Sequence, residues 1–198
     1  MALNGKILEW KDCPPVQFVR RWETLAQGPS AFLYERHPGT SSLTRVDLTR
    51  LYALWCNHAK PTSEDRNNAS ELAPCLEELN AFRSIGQPKE NDVLTFYDEL
   101  TRVVGRRFSL KIFALHAALP RVFPPICHRR LAAFRLLTGQ DPLRRFTFTE
   151  ALLTTYFVYQ KFFFDLSVAG AADIARVDRS LLAAGQFIES YGSAVRPE

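Results

Sequence analysis

The stretch FSLKIFALHAALPRVFPPICHRRLA, residues 108–132, decides the fold class. Ser109 is placed to cap a helix that runs to Leu119. Pro120 stops that helix, because proline lacks an N–H and its ring clashes with the turn before it. Pro124 and Pro125 open the next helix, and Gly139 ends it. Apolar residues recur on both sides of the loop with a helical period and never alternate as in a strand.

The same pattern extends outward. Upstream, residues 91–104 carry Val93, Leu94, Phe96, Tyr97, Leu100 and Val103 as one apolar set, and Gly105 punctuates. Pro74 sits in the first turn of a helix with Leu76, Leu79, Phe82 and Ile85 on one face, ended by Gly86. Residues 43–59 fit a helix through Val46, Leu48, Leu51, Leu54 and Trp55, and Pro14 and Pro15 open one through Val16, Val19 and Trp22 that ends near Gly28. Downstream, Thr147 and Glu150 make a capping box for a long helix to Val168, and Asp173 caps a last one with Ile174, Val177, Leu181, Leu182 and Phe187. Residues 60–68 are polar and rich in turn formers, so they read as a loop and as the candidate boundary between two small lobes. The chain thus reads as all-α, a single domain over residues 1–198 built as a compact bundle of about eight helices.

Composition agrees with a globular chain: 198 residues, 46% hydrophobic, 12% aromatic. Cys13, Cys56, Cys75 and Cys127 form no CxxC pair, which suits reduced thiols in a cytoplasmic protein. The first residues lack the apolar run of a signal peptide. The most apolar segment, 151–164, is short and contains Gln160 and Lys161, so no membrane span is expected. The run Tyr156, Phe157, Val158, Tyr159 with Phe162, Phe163 and Phe164 is aromatic on every side and reads as a central buried helix. The other readings are stacking on nucleic-acid bases and a partner interface.

Charge is unevenly spread. Residues 102–145 hold ten bases (Arg102, Arg106, Arg107, Lys111, Arg121, Arg129, Arg130, Arg135, Arg144 and Arg145) and one acid, Asp141, although the whole chain is only +4. The remaining residues carry fifteen bases against twenty acids. Such a block points to an anionic partner, either nucleic acid, DNA above all, or an acidic protein surface.

The layout of residues 108–132 resembles the core of the helix-hairpin-helix-GPD DNA glycosylase superfamily. In that family a short turn precedes a helix that carries the catalytic lysine of the lyase members, a proline-containing loop follows, and an aspartate opens the next helix. Lys111 stands at the head of the first helix, Phe123, Pro124 and Pro125 occupy the loop, and Cys127, His128 and Arg129 fall where the aspartate motif starts. The segment from Ile174 to Gly185 resembles a late helix of distant relatives in which an aspartate, a leucine and a glycine recur, here Asp178, Leu181 and Gly185. The resemblance spans roughly residues 101–186. It implies an all-α, two-lobed glycosylase-like scaffold, DNA binding by the hairpin, and base excision in active members. The sequence departs from the family at two points. Cys127 replaces the aspartate, and the hairpin has one glycine, Gly105, where the family has Gly-x-Gly. A match in register on Gly105 puts Arg107 in the lysine's place, and an arginine forms no Schiff base.

Six residues follow as candidate site residues. Lys111, among Leu110, Ile112 and Phe113, is either a nucleophile of lowered pKa or a lysine that snorkels to solvent. Arg106 and Arg107, after Gly105 and before a helix start, can hold phosphate. Arg129, Arg130 and Arg135 share a helix. One of them is expected to pair with an acid of the core, with Asp165, Asp173 and Asp178 the nearest candidates, and the others to contact a backbone anion. Cys56, His58, His116, Cys127 and His128 lack a ligand-spacing nucleus, so no metal and no cofactor is expected. The leading expectation is a nucleic-acid-binding protein on a glycosylase-like scaffold with catalysis lost or altered. The alternatives are a protein-interaction or structural module of a larger assembly, and an active DNA glycosylase or lyase using Lys111.

Overall fold

The computed structural model describes residues 14–25, 42–56, 58–139 and 149–191. Among them are nine α-helices and one 3-10 turn, and no strand, so the chain is all-α. The chain divides into two compact units, a central one formed by Gly28–Pro125 and a terminal one formed by Met1–Gln27 with Ile126–Glu198.

The terminal unit holds α1 (Pro15–Glu23), α7 (His128–Thr138), α8 (Thr149–Ala169) and α9 (Ile174–Tyr191). Pro15 opens α1 because the first helical N–H has no acceptor to lose, and Phe18, Val19 and Trp22 form its buried stripe. Asp173 caps α9 by accepting the N–H of Arg176 at 2.9 Å, as its position before the apolar run predicts. α9 packs along both α7 and α1. Its approach to α7 is set by Gly185, where a Cβ would stand 2.0 Å from the Arg129 carbonyl oxygen. Only a residue without a side chain lets the two backbones come this close. In α8, Tyr156, Tyr159 and Phe163 are buried. Phe134 of α7 meets Tyr159 and Phe162 edge to face, at 5.8 and 4.9 Å between ring centroids.

The central unit holds α2 (Arg45–Trp55), α3 (Ser63–Ser70), the 3-10 turn Ala73–Cys75, α4 (Leu76–Ile85), α5 (Glu90–Val104) and α6 (Phe108–Ala118). α6 is its axis: every residue from Leu110 to Ala118 is buried, and α2, α4 and α5 pack on it. An all-round apolar helix is stable only inside a core. Phe113 takes Tyr52 and Trp55 of α2 edge-on, and Phe82 of α4 stacks on Phe96 of α5 at 4.4 Å. Arg83 Nη1 donates to the Ala118 carbonyl, which places a cation at the C-terminal end of α6.

Four local expectations are corrected. Of residues 60–68 only 60–62 are loop, for α3 begins at Ser63 and lies inside the central unit. Thr62 and Asp65 form a capping box there, and the helix lacks an apolar period because it buries only Asp65 and Ala69. Ser109 lies inside α6, whose N-cap is Arg107, without a side-chain bond. Pro124 and Pro125 are buried in the loop, and α7 starts after Cys127. α2 is shorter at both ends than 43–59, since Thr44 with Asp47 caps it and it ends at Trp55. Thr147, Arg144 and Arg145, like Gly28, lie outside the described residues.

Candidate functional site

The six residues singled out by the basic block fall in different units: Arg106, Arg107 and Lys111 in the central one, Arg129, Arg130 and Arg135 in the terminal one. Their environments differ sharply, because folding brings acids from distant segments to some of them and not to others.

In the central unit the chain leaves α5 through Gly105, at φ 60° and ψ −130°, a conformation that only glycine adopts without strain. This turn presents Arg102, Arg106 and Arg107, all exposed. Arg102 pairs with Glu99 at 2.6 Å on the open surface of α5. Arg107 reaches Glu71, and Asn68 at 3.3 Å. The Glu71 carboxylate raises the Arg107 pKa above its ordinary value. Arg106 makes no ion pair among the described residues. The first turn of α6 that follows carries no acid and no side-chain cap.

Lys111 is fully buried. Its Nζ donates to Thr101 Oγ1 at 3.1 Å and lies 4.3 Å from the centroid of the Tyr97 ring, on its π face. Burial lowers its pKa and distant Asp98 only partly opposes this. The hydroxyl of Tyr97 is buried without a hydrogen-bond partner, and burial pushes its pKa up. Lys111 therefore does not snorkel. As it stands, its amine also reaches no surface from which a substrate could approach.

In the terminal unit, Arg130 is buried against Asp178 of α9 in a fork, Nε to Oδ1 at 2.6 Å and Nη2 to Oδ2 at 2.9 Å. Its Nη1 donates to Cys127 Sγ at 3.2 Å. The expected core acid is thus Asp178, and the Cys127 thiol serves the same arginine. Burial lifts the Asp178 carboxyl above its ordinary value, and the Arg130 guanidinium pulls the other way. Arg129 and His128 pair with Glu189, at 2.7 and 3.1 Å, and hold that carboxyl below its usual range. Asp178, Gly185 and Glu189 lie seven and four residues apart on one face of α9. Buried pair, close approach and outer pair thus form one continuous contact with α7. The aspartate and glycine that carried the late-helix resemblance have here a packing role. Arg135 is exposed.

Two groups that the charge block does not include stand out. His58 Nδ1 bonds to Asp65 Oδ2 at 2.9 Å, and the same oxygen accepts the N–H and the hydroxyl of Thr62, each at 2.8 Å. Burial opposes the charge on Asp65, but these bonds outweigh it and hold the carboxyl below its ordinary value. Cys56, beside them, is pushed up to about 11 by burial and by Asp65, which makes it a thiol and no thiolate nucleophile. The signal in the sequence was the capping box Thr62 to Asp65, hidden by the reading of that segment as a loop. No group of three or more His, Cys, Asp or Glu side chains with metal-holding geometry occurs among the described residues. Among those residues, too, no helix is long and apolar enough to cross a membrane. Comparison with protein families, with curated proteins and with solved structures finds no match to this chain.

Proposed function

We propose that this chain binds nucleic acid through the turn between α5 and α6, on a glycosylase-like helical scaffold whose base-excision chemistry is lost or altered. The observation that carries the reading is the Gly105 turn: three exposed guanidinium groups within six residues precede a helix start free of acidic side chains. Guanidinium forks and a helix N-terminus both favour phosphate. The surface pairs with Glu99 and Glu71 offer little resistance, because ion pairs on the open surface are weak and screened by solvent, and a phosphate can replace either carboxylate. Against excision stand a lysine sealed behind Tyr97 and Thr101 and a Cys127 committed to Arg130. Such binding reads the backbone and not the base, so it falls steeply with salt.

Fluorescence anisotropy with duplex and single-stranded DNA tests it. At low salt the full chain binds. The double substitution Arg102→Glu and Arg106→Glu weakens binding by at least about tenfold and flattens the salt dependence by about one counterion per lost contact. An absence of binding at low salt, or affinity indifferent to the double substitution, would sink the reading.

A further inference from the structure

The last turns of α2 and the segment after it enclose a cavity of about 300 Å³, within the central unit and lined by Asp47, Arg50, Leu51, Leu54, His58 and Lys60 among others. Its volume is that of a small-ligand site. Its polar wall is built from both ends of a short piece of chain. The His58 N–H donates to the Ala53 carbonyl at 2.7 Å, which fixes the backbone just past α2. The ring is fixed by Asp65, whose side chain is 2% exposed and is itself held by Thr62 at the start of α3. An ionised carboxylate accepts only, so Nδ1 carries the proton in that bond and Nε2 is the nitrogen left for a ligand. The ring stays 45% exposed although its anchor is buried.

Charge on the wall is uncommitted on one side only. Arg50 and Lys60 are exposed, and neither makes an ion pair among the described residues. The one carboxylate of that lining, Asp47, accepts the N–H and hydroxyl of Thr44 through Oδ2, at 2.9 and 2.6 Å, and keeps its negative charge, which the two cations outnumber. A fork, a point charge and an imidazole N therefore meet a cavity whose remaining wall includes Leu51, Ala53, Leu54 and Pro61. That combination fits a tetrahedral anion attached to a small apolar body. Arginine matches its oxygens two at a time, and lysine adds charge without geometry.

We propose that this cavity binds a small phosphate monoester, with the phosphate held by Arg50, Lys60 and, in its doubly protonated form, the Nε2–H of His58 as donor, and the organic group lying on Leu51 and Leu54. This site is distinct from the Gly105 turn and uses none of its residues.

Isothermal titration of the full chain with phenyl phosphate tests it, with benzoate as an anion of similar body and planar charge. The expected result is saturable binding of phenyl phosphate, at least about tenfold tighter than benzoate, and weakened at least about tenfold by Arg50→Gln and by His58→Asn. Arg50 is exposed, so its substitution leaves the thermal midpoint nearly unchanged and reports on binding alone. The double substitution at Arg102 and Arg106 leaves phenyl phosphate binding intact. No saturable binding, equal affinity for benzoate, or affinity unchanged in Arg50→Gln overturns the proposal.

Discussion

Among the described residues each unit buries one cation, and the two are handled in opposite ways. In the terminal unit Arg130 meets Asp178 in a two-bond fork and gives a third bond to Cys127. In the central unit Lys111 meets one hydroxyl and one aromatic face and no carboxylate. The contrast teaches what buried charge does to a fold. A matched pair ties two helices in one register, because either partner alone is costly. An ammonium without a counterion contributes no such tie, and burial among apolar residues disfavours its charged form and lowers its pKa. Arginine suits the first task because its planar fork pairs with a carboxylate. Lysine suits the second because it can shed its proton.

The comparison is broken most directly at the pair. Asp178→Ala leaves a buried guanidinium with only Cys127 for company and is expected to destabilise the chain by about 3–5 kcal/mol, seen in urea unfolding. Arg130→Met with Asp178→Leu removes both charges and should recover most of that loss. If Asp178→Ala costs less than about 1 kcal/mol, the pair does not tie α7 to α9. Next in size is Gly185→Ala, whose Cβ would collide with the Arg129 backbone. Forcing α7 and α9 apart is expected to cost about 1–3 kcal/mol, with the loss appearing in the near-ultraviolet signal of Tyr156 and Tyr159 before helicity falls. The reverse sign is expected at Lys111. Lys111→Met keeps the volume, removes the desolvated charge, and should stabilise by about 1 kcal/mol at neutral pH.

The smallest effect sharpens the contrast through pH. The folded pKa of Lys111 lies below its ordinary 10.5. Between the two values the unfolded chain holds a proton that the folded chain has released, so stability rises with pH across that window. Lys111→Met should abolish that rise, and the gain from the substitution should shrink toward pH about 10. Asp65 acts at the other end. Its folded pKa is depressed below 3.8, so its contribution is complete above that value and is lost as pH falls through the folded pKa. Denaturation at a series of pH values in Lys111→Met and in Asp65→Asn separates the two.

Helices were legible wherever their signals are local. The Pro14 and Pro15 start, the Asp173 cap and the apolar stripes through Leu79, Phe82, Leu100 and Leu181 all specify helix within one or two turns of chain. α3 escaped notice for the converse reason: it exposes most of its residues, and its start rests on Thr62 and Asp65 and not on a hydrophobic run. The candidate site was legible only as a tally of charge. Of its residues, Arg107 finds Glu71 36 positions away, Arg130 finds Asp178 48 away, and Arg129 finds Glu189 60 away. No local pattern announces such partners.

By itself, then, the sequence determined an all-α chain, the presence of most helices with the starts of α1, α5 and α9, and a segment of concentrated positive charge. Those follow from backbone sterics and from a 3.6-residue period, which act between near neighbours. Tertiary structure alone decided which charges remain available: it buried Lys111, matched Arg130, left the Gly105 turn exposed, and set His58, which lines a cavity, against Asp65. Electrostatics at contact distance depends on which helices meet, and that is settled by packing between segments the chain keeps far apart.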